Sequence, residues 1–379
     1  MLSHPFTPGR RRLLLTGAAC ALASGTAWAQ PGRKAGKPIT VAQIFDTSPD
    51  QQDVAKDFLI GSRAAWQDIN SKGGVRGRPV QHTSIEVDGT AASLRAAVDS
   101  IRDNPACVVL SGTVSDPVAS QLAALLRKEQ LGLAHAAPWL QNSSVEVDEQ
   151  TFPIFAGRQE QISHALRSLS LVGLHQVGAV FASAREHALY REDVARIAGA
   201  MRVSLQSYPA TGDLVQLGQR MDAMTPAVLL FIGGTPELVQ FTQGLDKQAR
   251  QRYVVALADV NLQTVIQMGG AKSTPVIATQ AVPVVNAAMP IVRRYREVLA
   301  RLFDEPPVAL SLAGFIAAHY TYEVLADIEG VPTRAAVLGA FQKRGEMDVG
   351  GYRISFNAQR RSATYVTQSM LTADGRVVG

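Results

Sequence analysis

Small polar residues follow the predicted strands, and their chemistry suits the binding of a small molecule. The loops after the strands are Asp46–Ser48, Ser111–Asp116, His135–Trp139, Ser183–Tyr190, Gly233–Thr235 and Ala258–Asn261. Ligands of open α/β sheets bind beyond the carboxyl ends of the strands, where small residues let them approach backbone amides. Helices beginning after Ser115 and Pro236 would also offer N–H donors to an anion. The same residue types end strands and cap helices, so a purely structural role is an alternative for each one.

Catalytic patterns are sparse. Ser115, Asp116 and His135 could form a hydrolase triad, but no Gly-x-Ser-x-Gly sequence surrounds the serine. The chain has no Walker loop, no His-Glu-x-x-His and no Cys/His cluster. We therefore expect a non-enzymatic protein with no catalytic residue, metal or cofactor, and we keep an exported serine hydrolase as the rival from another class.

The N-terminal segment is typical of an exported protein. Three arginines at 10–12 precede an apolar run at 13–23, and Ala27-Trp28-Ala29 follows. This pattern predicts a signal peptide over residues 1–29, cleaved after Ala29, and a periplasmic location. Two alternatives stay open, namely the twin-arginine export route and a lipid anchor on Cys20.

Composition narrows the possible partners. The formal charge of +5 falls to +2 without residues 1–29, which contain three arginines and no acidic residue. No run of Lys or Arg in the remaining chain is long enough for a nucleic-acid footprint. Only Cys107 remains after cleavage, and its apolar surroundings predict a buried core residue.

The elements that would carry the polar loops alternate between short apolar runs and helical patterns. Such alternation predicts βαβ units and parallel sheets, first over residues 39–134 and again from about residue 158 to 257. Two amphipathic helices follow at 291–303 and 311–328. Gly350-Gly351 then predicts a hairpin of 352–356 against 364–371, closed by Asp374-Gly375.

Four segments resemble one known family. They are Ile69–Arg78, Gly112–Ser115, Gly314–Ala318 and Gly350–Phe356. Together they are similar to type I periplasmic solute-binding proteins of ABC importers, and more narrowly to the leucine/isoleucine/valine-binding group. The likeness covers essentially the whole chain after residue 29.

This resemblance implies an α/β fold of two doubly wound parallel-sheet lobes joined by three hinge crossings. The crossings are expected near 152–156, 279–284 and 347–350. Lobe 1 would comprise 38–154 plus 282–347, and lobe 2 would comprise 155–281 plus 348–379. The family further implies a monomer that passes its ligand to an inner-membrane permease, with a periplasmic sensor that docks on a signalling receptor as the alternative.

The resemblance also implies a set of ligand-binding residues. Carried over by position, they are Ser115, Asp116, Ala136, Ala137, Trp139, Tyr190, Thr235 and Asp259. The second loop departs from the family pattern because Ala136-Ala137-Pro138 has no hydroxyl. Asp116 departs as well, because a buried carboxylate would repel a ligand carboxylate unless an amine pairs with it. We expect an amino-acid-like or other carboxylate- or amine-bearing ligand.

Overall fold

The computed structural model describes residues 36–210, 212–343, 345–362, 365–372 and 376–379. The predicted signal peptide therefore lies outside the described residues. Among the helices that are described, none is both long and apolar enough to cross a membrane.

Strands and helices alternate from the start of the described chain. The first elements are β1 (Ile39–Asp46), α1 (Gln52–Ser71), β2 (Val80–Val87), α2 (Ala91–Arg102), β3 (Cys107–Ser111), α3 (Asp116–Glu129), β4 (Ala134–Ala136) and β5 (Thr151–Phe152). Their five strands form a parallel sheet in the order β2-β1-β3-β4-β5. Strand β3 is buried along its whole length, including Cys107, as expected for a central strand covered on both faces.

A second alternating series follows. It contains α4 (Arg158–Leu171), β6 (Gln176–Phe181), α5 (Ala184–Ala200), β7 (Ser204–Pro209), α6 (Leu214–Gln219), β8 (Val228–Ile232), α7 (Thr235–Leu245), β9 (Tyr253–Ala256), α8 (Leu262–Gln267) and β10 (Val276–Gln280). Its five strands are parallel and lie side by side in the order β10-β9-β8-β6-β7.

The C-terminal elements return to both sheets. They are α9 (Pro290–Leu302), α10 (Ala309–Ala326), α11 (Arg334–Gln342), β11 (Glu346–Val349), β12 (Tyr352–Ser355), β13 (Thr367–Leu371) and β14 (Val377–Val378). Helices α9 and α10 pack on α1, and α11 packs on β3. Strands β13 and β14 extend the second sheet in antiparallel fashion. We call the five-stranded sheet with α1–α3 and α9–α11 the first lobe, and the seven-stranded sheet with α4–α8 the second lobe.

The predicted C-terminal hairpin is wrong in its pairing. Strand β12 pairs with β11 across Gly350 and Gly351, whose φ angles of 58° and 94° allow the tight turn. Strand β13 instead pairs with β10 and β14. An alternating pattern identifies a strand but not its partner, and this explains the error. The predicted closing turn at Asp374-Gly375 lies outside the described residues.

Two glycines set the closest helix contact of the first lobe. A Cβ atom at Gly61 would lie 1.7 Å from the Ser311 carbonyl oxygen, and one at Gly314 would lie 1.9 Å from the Phe58 oxygen. Only glycine permits backbones to approach this closely. The contact locks α1 against the buried helix α10 and so holds the start of α1 in place.

The architecture confirms the predicted α/β fold of two parallel-sheet lobes. The proposed limits of the lobes remain a prediction. The predicted boundary between lobe 1 and lobe 2 after residue 347 falls within strand β11.

Candidate functional site

A cavity of about 80 Å³ lies between the two lobes. The first lobe contributes the starts of α1 and α3 to its walls. The second lobe contributes the starts of α4, α5 and α7 together with Asp259. Five helices thus begin at one cavity, because parallel strands end at the same edge of a sheet and each helix starts from a strand end.

Local sequence explains why two of these helices begin where they do. Proline occupies the second position of both, in Asp116-Pro117 of α3 and Thr235-Pro236 of α7. The first turn of a helix has N–H groups without intrahelical partners, so proline loses no hydrogen bond there. Thr235 is buried, and its hydroxyl accepts the Asn261 N–H at 3.0 Å, which ties the loop after β9 to α7.

Arg158 and Asp259 form a buried ion pair beside the cavity. Nη2 of Arg158 donates to Oδ2 of Asp259 at 2.5 Å, and Nη1 lies 3.6 Å from a carboxylate oxygen of Glu186. The guanidinium carbon also lies 4.8 Å from the centre of the Tyr190 ring. Although burial alone would lower it, the carboxylates of Asp259 and Glu186 raise the pKa of Arg158 above its usual range.

Asp116 is held mainly by the backbone of the segment that follows β4. Its Oδ1 accepts the backbone N–H groups of Gln141 and Asn142, each at 2.7 Å. Its Oδ2 accepts the hydroxyl of Tyr190 at 3.4 Å. Burial raises the pKa of Asp116, and the nearby Arg158 opposes that shift. These donors stabilise the carboxyl group, so it does not need a ligand amine to be accommodated.

Several hydrogen bonds of the described residues join the lobes, and three of them involve the loops around the cleft. Trp139 Nε1 donates to Asp259 Oδ1 at 2.7 Å, and Asn261 Nδ2 donates to Asp57 Oδ2 at 2.6 Å. The Tyr190–Asp116 contact is the third. Both oxygens of Asp259 are therefore paired with groups of this chain.

The structure brings four of the eight predicted ligand residues to the cavity. These are Asp116, Tyr190, Thr235 and Asp259. The other four are buried away from it, namely Ser115, Ala136, Ala137 and Trp139. The hydroxyl of Ser115 donates to Asp46 at 2.7 Å, and Trp139 packs on Phe155 while its N–H meets Asp259.

Comparison with known proteins identifies the fold. A family model described as "Periplasmic binding protein" matches residues 38–373. The chain belongs to this family. A search of curated proteins by sequence found no match.

Solved structures agree with this assignment at low identity. An extracellular ligand-binding receptor from Verminephrobacter eiseniae superimposes with a TM-score of 0.81 at 17% identity, over 90% of this chain and 100% of that one. A branched-chain amino acid transporter substrate binding protein from Streptococcus pneumoniae, in complex with isoleucine, gives 0.72 at 13%, over 90% and 98%. A fatty acid ABC transporter substrate-binding protein from Thermomonospora curvata gives 0.78 at 12%, over 90% and 91%. At such identities the likeness shows the fold alone.

In this periplasmic binding protein, the hydrogen bonds of Ser115 and His135 do not support the serine hydrolase alternative. Ser115 bonds to Asp46, whereas His135 Nε2 pairs with the Thr113 hydroxyl at 2.9 Å. Burial lowers the pKa of His135 to about 3. The nucleophile–base hydrogen bond that a serine hydrolase needs is therefore not present between these two residues.

Sequence reasoning missed six of the eight charged residues that line the cavity, and three of the six are central to its electrostatics. Arg158, Glu186 and Glu237 all line it, but none belongs to a recognisable motif. Each lies in the first turn of its helix, directly after a strand-end loop. Glu186 lies within the predicted loop Ser183–Tyr190 but was not selected, and extending the search by one helical turn would have reached Arg158 and Glu237.

Proposed function

We propose that this chain is the solute-binding component of an ABC importer. It would bind a small amino-acid-like, carboxylate-bearing or amine-bearing molecule in the cleft, in the periplasm and as a monomer, and deliver it to a membrane permease. The observation that carries the proposal is a polar cavity whose walls come from both lobes. A ligand there touches two bodies at once, and such contacts drive hinge closure.

The hydrogen bonds between the lobes support a closing mechanism. The Trp139–Asp259, Asp57–Asn261 and Tyr190–Asp116 contacts all require the lobes to be close. A ligand that contacts both walls lowers the free energy of the closed state more than that of the open state. It therefore shifts the equilibrium toward the form that a permease would recognise.

Thermal unfolding with a panel of amino acids, organic acids, fatty acids and amines tests solute binding. A specific ligand at a hundred times its Kd stabilises the protein by about 2.7 kcal/mol, which raises the Tm measurably. Leu189 is exposed at the cavity rim, so Leu189→Trp should narrow the entrance and weaken binding. Leu171→Trp is the matched control, because Leu171 is 82% exposed and lies away from the cavity. Equal binding by both variants would argue against this cavity.

Uptake of the radiolabelled ligand by cells with and without this chain tests delivery. Loss of uptake without the chain supports the importer role. Binding with normal uptake but an altered transcriptional response would instead favour the sensor alternative.

A further inference from the structure

The cavity walls carry an excess of negative charge. Six carboxylates face two arginines, a formal charge of −4, and the acidic residues are Asp50, Asp53, Asp116, Glu186, Glu237 and Asp259. The arginines are Arg158, which forms ion pairs with both Asp259 and Glu186, and Arg185, which is exposed. The remaining carboxylates therefore have little cationic compensation.

Two of these carboxylates present oxygens that lack donors. Oε2 of Glu186 and Oε2 of Glu237 are both buried, and neither has a hydrogen-bond partner among the described residues. Oε2 of Glu186 has the ion pair with Arg158 Nη1 at 3.6 Å, whereas no ion pair of Glu237 is found among these residues. Burial raises the pKa of Glu237, and the carboxylates of Asp50 and Glu186 raise it further. The crowding of like charges shows that this wall would be stabilised by a cation.

The helix starts at the cavity do not cancel this charge. A helix N-terminus carries about half a positive charge, so five of them offset only part of the formal −4. The lining remains negative even by this generous count.

A second observation points to a ligand and constrains its chemistry. Arg158 is 6% exposed and lines the cavity, yet its Nε has no hydrogen-bond partner in the described part of the chain, and its Nη1 has only the 3.6 Å ion pair with Glu186. Buried donors of this kind need an acceptor. Within the same described residues no group of acidic, His or Cys side chains could hold a metal ion. The cation that fits is therefore an organic one that also carries an acceptor.

We propose that the cleft binds a small organic cation whose N–H groups donate to Glu186 and Glu237 and whose uncharged carbonyl or hydroxyl oxygen accepts from Arg158. This inference rests on the proposed function and specifies its ligand class. A free carboxylate on the ligand would add a negative charge to a cavity whose carboxylates already outnumber its arginines by six to two.

Calorimetric titration with matched pairs of probes tests the charge class. Each pair is an amino acid and its amide, namely alanine and alaninamide, leucine and leucinamide, and lysine and lysinamide. The amide keeps the ammonium and a carbonyl but loses the carboxylate. We expect at least one amide to bind ten times more tightly than its acid, with an affinity that falls as salt rises. An acid that binds more tightly than its amide overturns the inference.

Glu237→Gln tests the assigned carboxylate, with Glu192→Gln as the control. Glu192 is a strongly exposed side chain of α5 in the same lobe and lies outside the cavity. We expect Glu237→Gln to weaken binding of the best amide at least tenfold, and Glu192→Gln to leave it unchanged. The Tm of unliganded Glu237→Gln should match or exceed that of the wild type, because the substitution removes a crowded charge. Unchanged amide binding by a folded Glu237→Gln protein overturns the inference.

The same titrations separate this inference from the proposed function. If only zwitterions, organic acids or fatty acids bind, the cation inference fails while solute binding stands. If no solute of any charge binds, both fail.

Discussion

Both lobes have strand-end loops of similar composition at the cleft, but the side chains of these loops have different surroundings. In the first lobe, Ser115 donates to Asp46, His135 pairs with Thr113, and Ala136 and Ala137 lie in the core. In the second lobe, Tyr190, Glu186 and Glu237 face the cavity beside the Arg158–Asp259 pair. Small hydroxyl and alanine side chains can be buried within their own lobe, whereas long charged side chains extend into the cavity between the lobes. The second lobe therefore supplies both arginines and three of the six carboxylates of the cavity, and the first lobe supplies the other three carboxylates, Asp50, Asp53 and Asp116.

The largest expected effect comes from breaking the ion pair of the second lobe. Arg158→Met leaves Asp259 and Glu186 without their cation, and the free energy of unfolding should fall by about 3–5 kcal/mol. Urea denaturation at pH 7 measures the loss. Arg191→Met is the control, because Arg191 is exposed and contacts only its neighbour Glu192 within the described chain, so we expect a change within about 0.5 kcal/mol. If both variants lose a similar, small amount of unfolding free energy, the buried ion pair does not set the second lobe apart from the first.

A smaller effect should follow from cutting the contact that joins the lobes at Asp259. Trp139→Phe removes the indole N–H and leaves a buried carboxylate oxygen unpaired, at a cost of about 1–3 kcal/mol beyond the lost volume. Trp66→Phe is the matched control, since Trp66 is equally buried and its indole N–H has no hydrogen-bond partner among the described residues. The difference between the two unfolding free energies isolates the hydrogen bond. Equal losses would contradict a bond between the lobes at this point.

The burial of Asp57 should make stability depend on pH. Burial raises the pKa of Asp57 from 3.8 to about 6, although Asn261 donates to it. The folded state then binds a proton more tightly than the unfolded chain, so this group costs stability as pH rises from about 4 through 6. We expect Asp57→Asn to be more stable than the wild type by about 2–3 kcal/mol at pH 8 and equal to it near pH 4. Urea titrations across this range measure the effect, and the exposed Asp304→Asn should show no such trend.

The smallest effect tests the wall of the first lobe. Ser115→Ala removes one buried hydrogen bond to Asp46 and should cost about 1 kcal/mol of unfolding free energy. Ligand affinity should not change, because the hydroxyl points to Asp46 and does not line the cavity. Isothermal titration with the ligand found by screening measures this. A tenfold loss of affinity with intact folding would restore Ser115 as a ligand contact.

The elements of both sheets could be predicted from local patterns. The apolar run at residues 106–110 predicts a buried strand, and β3 occupies Cys107–Ser111 with all residues buried. Strand β8 at Val228–Ile232 follows in the same way from an apolar run. Such runs report burial on both faces, which is a property of a segment and its immediate neighbours. The pairing of β13 with β10 joins residues about ninety positions apart, and no local pattern contains it.

The candidate site was predictable only to the level of its loops. Asp116, Tyr190, Thr235 and Asp259 lie where the strand-end rule predicts a ligand. The rule could not show that Asp259 is already paired with Trp139 and Arg158 across more than a hundred residues. It also gave no reason to select Glu237, whose significance depends on the carboxylates around it.

By itself, the sequence determined the α/β class, the alternation of strands and helices, and the loops that reach the cleft, because burial and turn chemistry act over short stretches of chain. The tertiary structure alone decided which side chains face the cavity and which are satisfied within the protein. That choice depends on hydrogen bonds and charges brought together from distant segments, where a change of a few ångströms separates a ligand contact from a structural one.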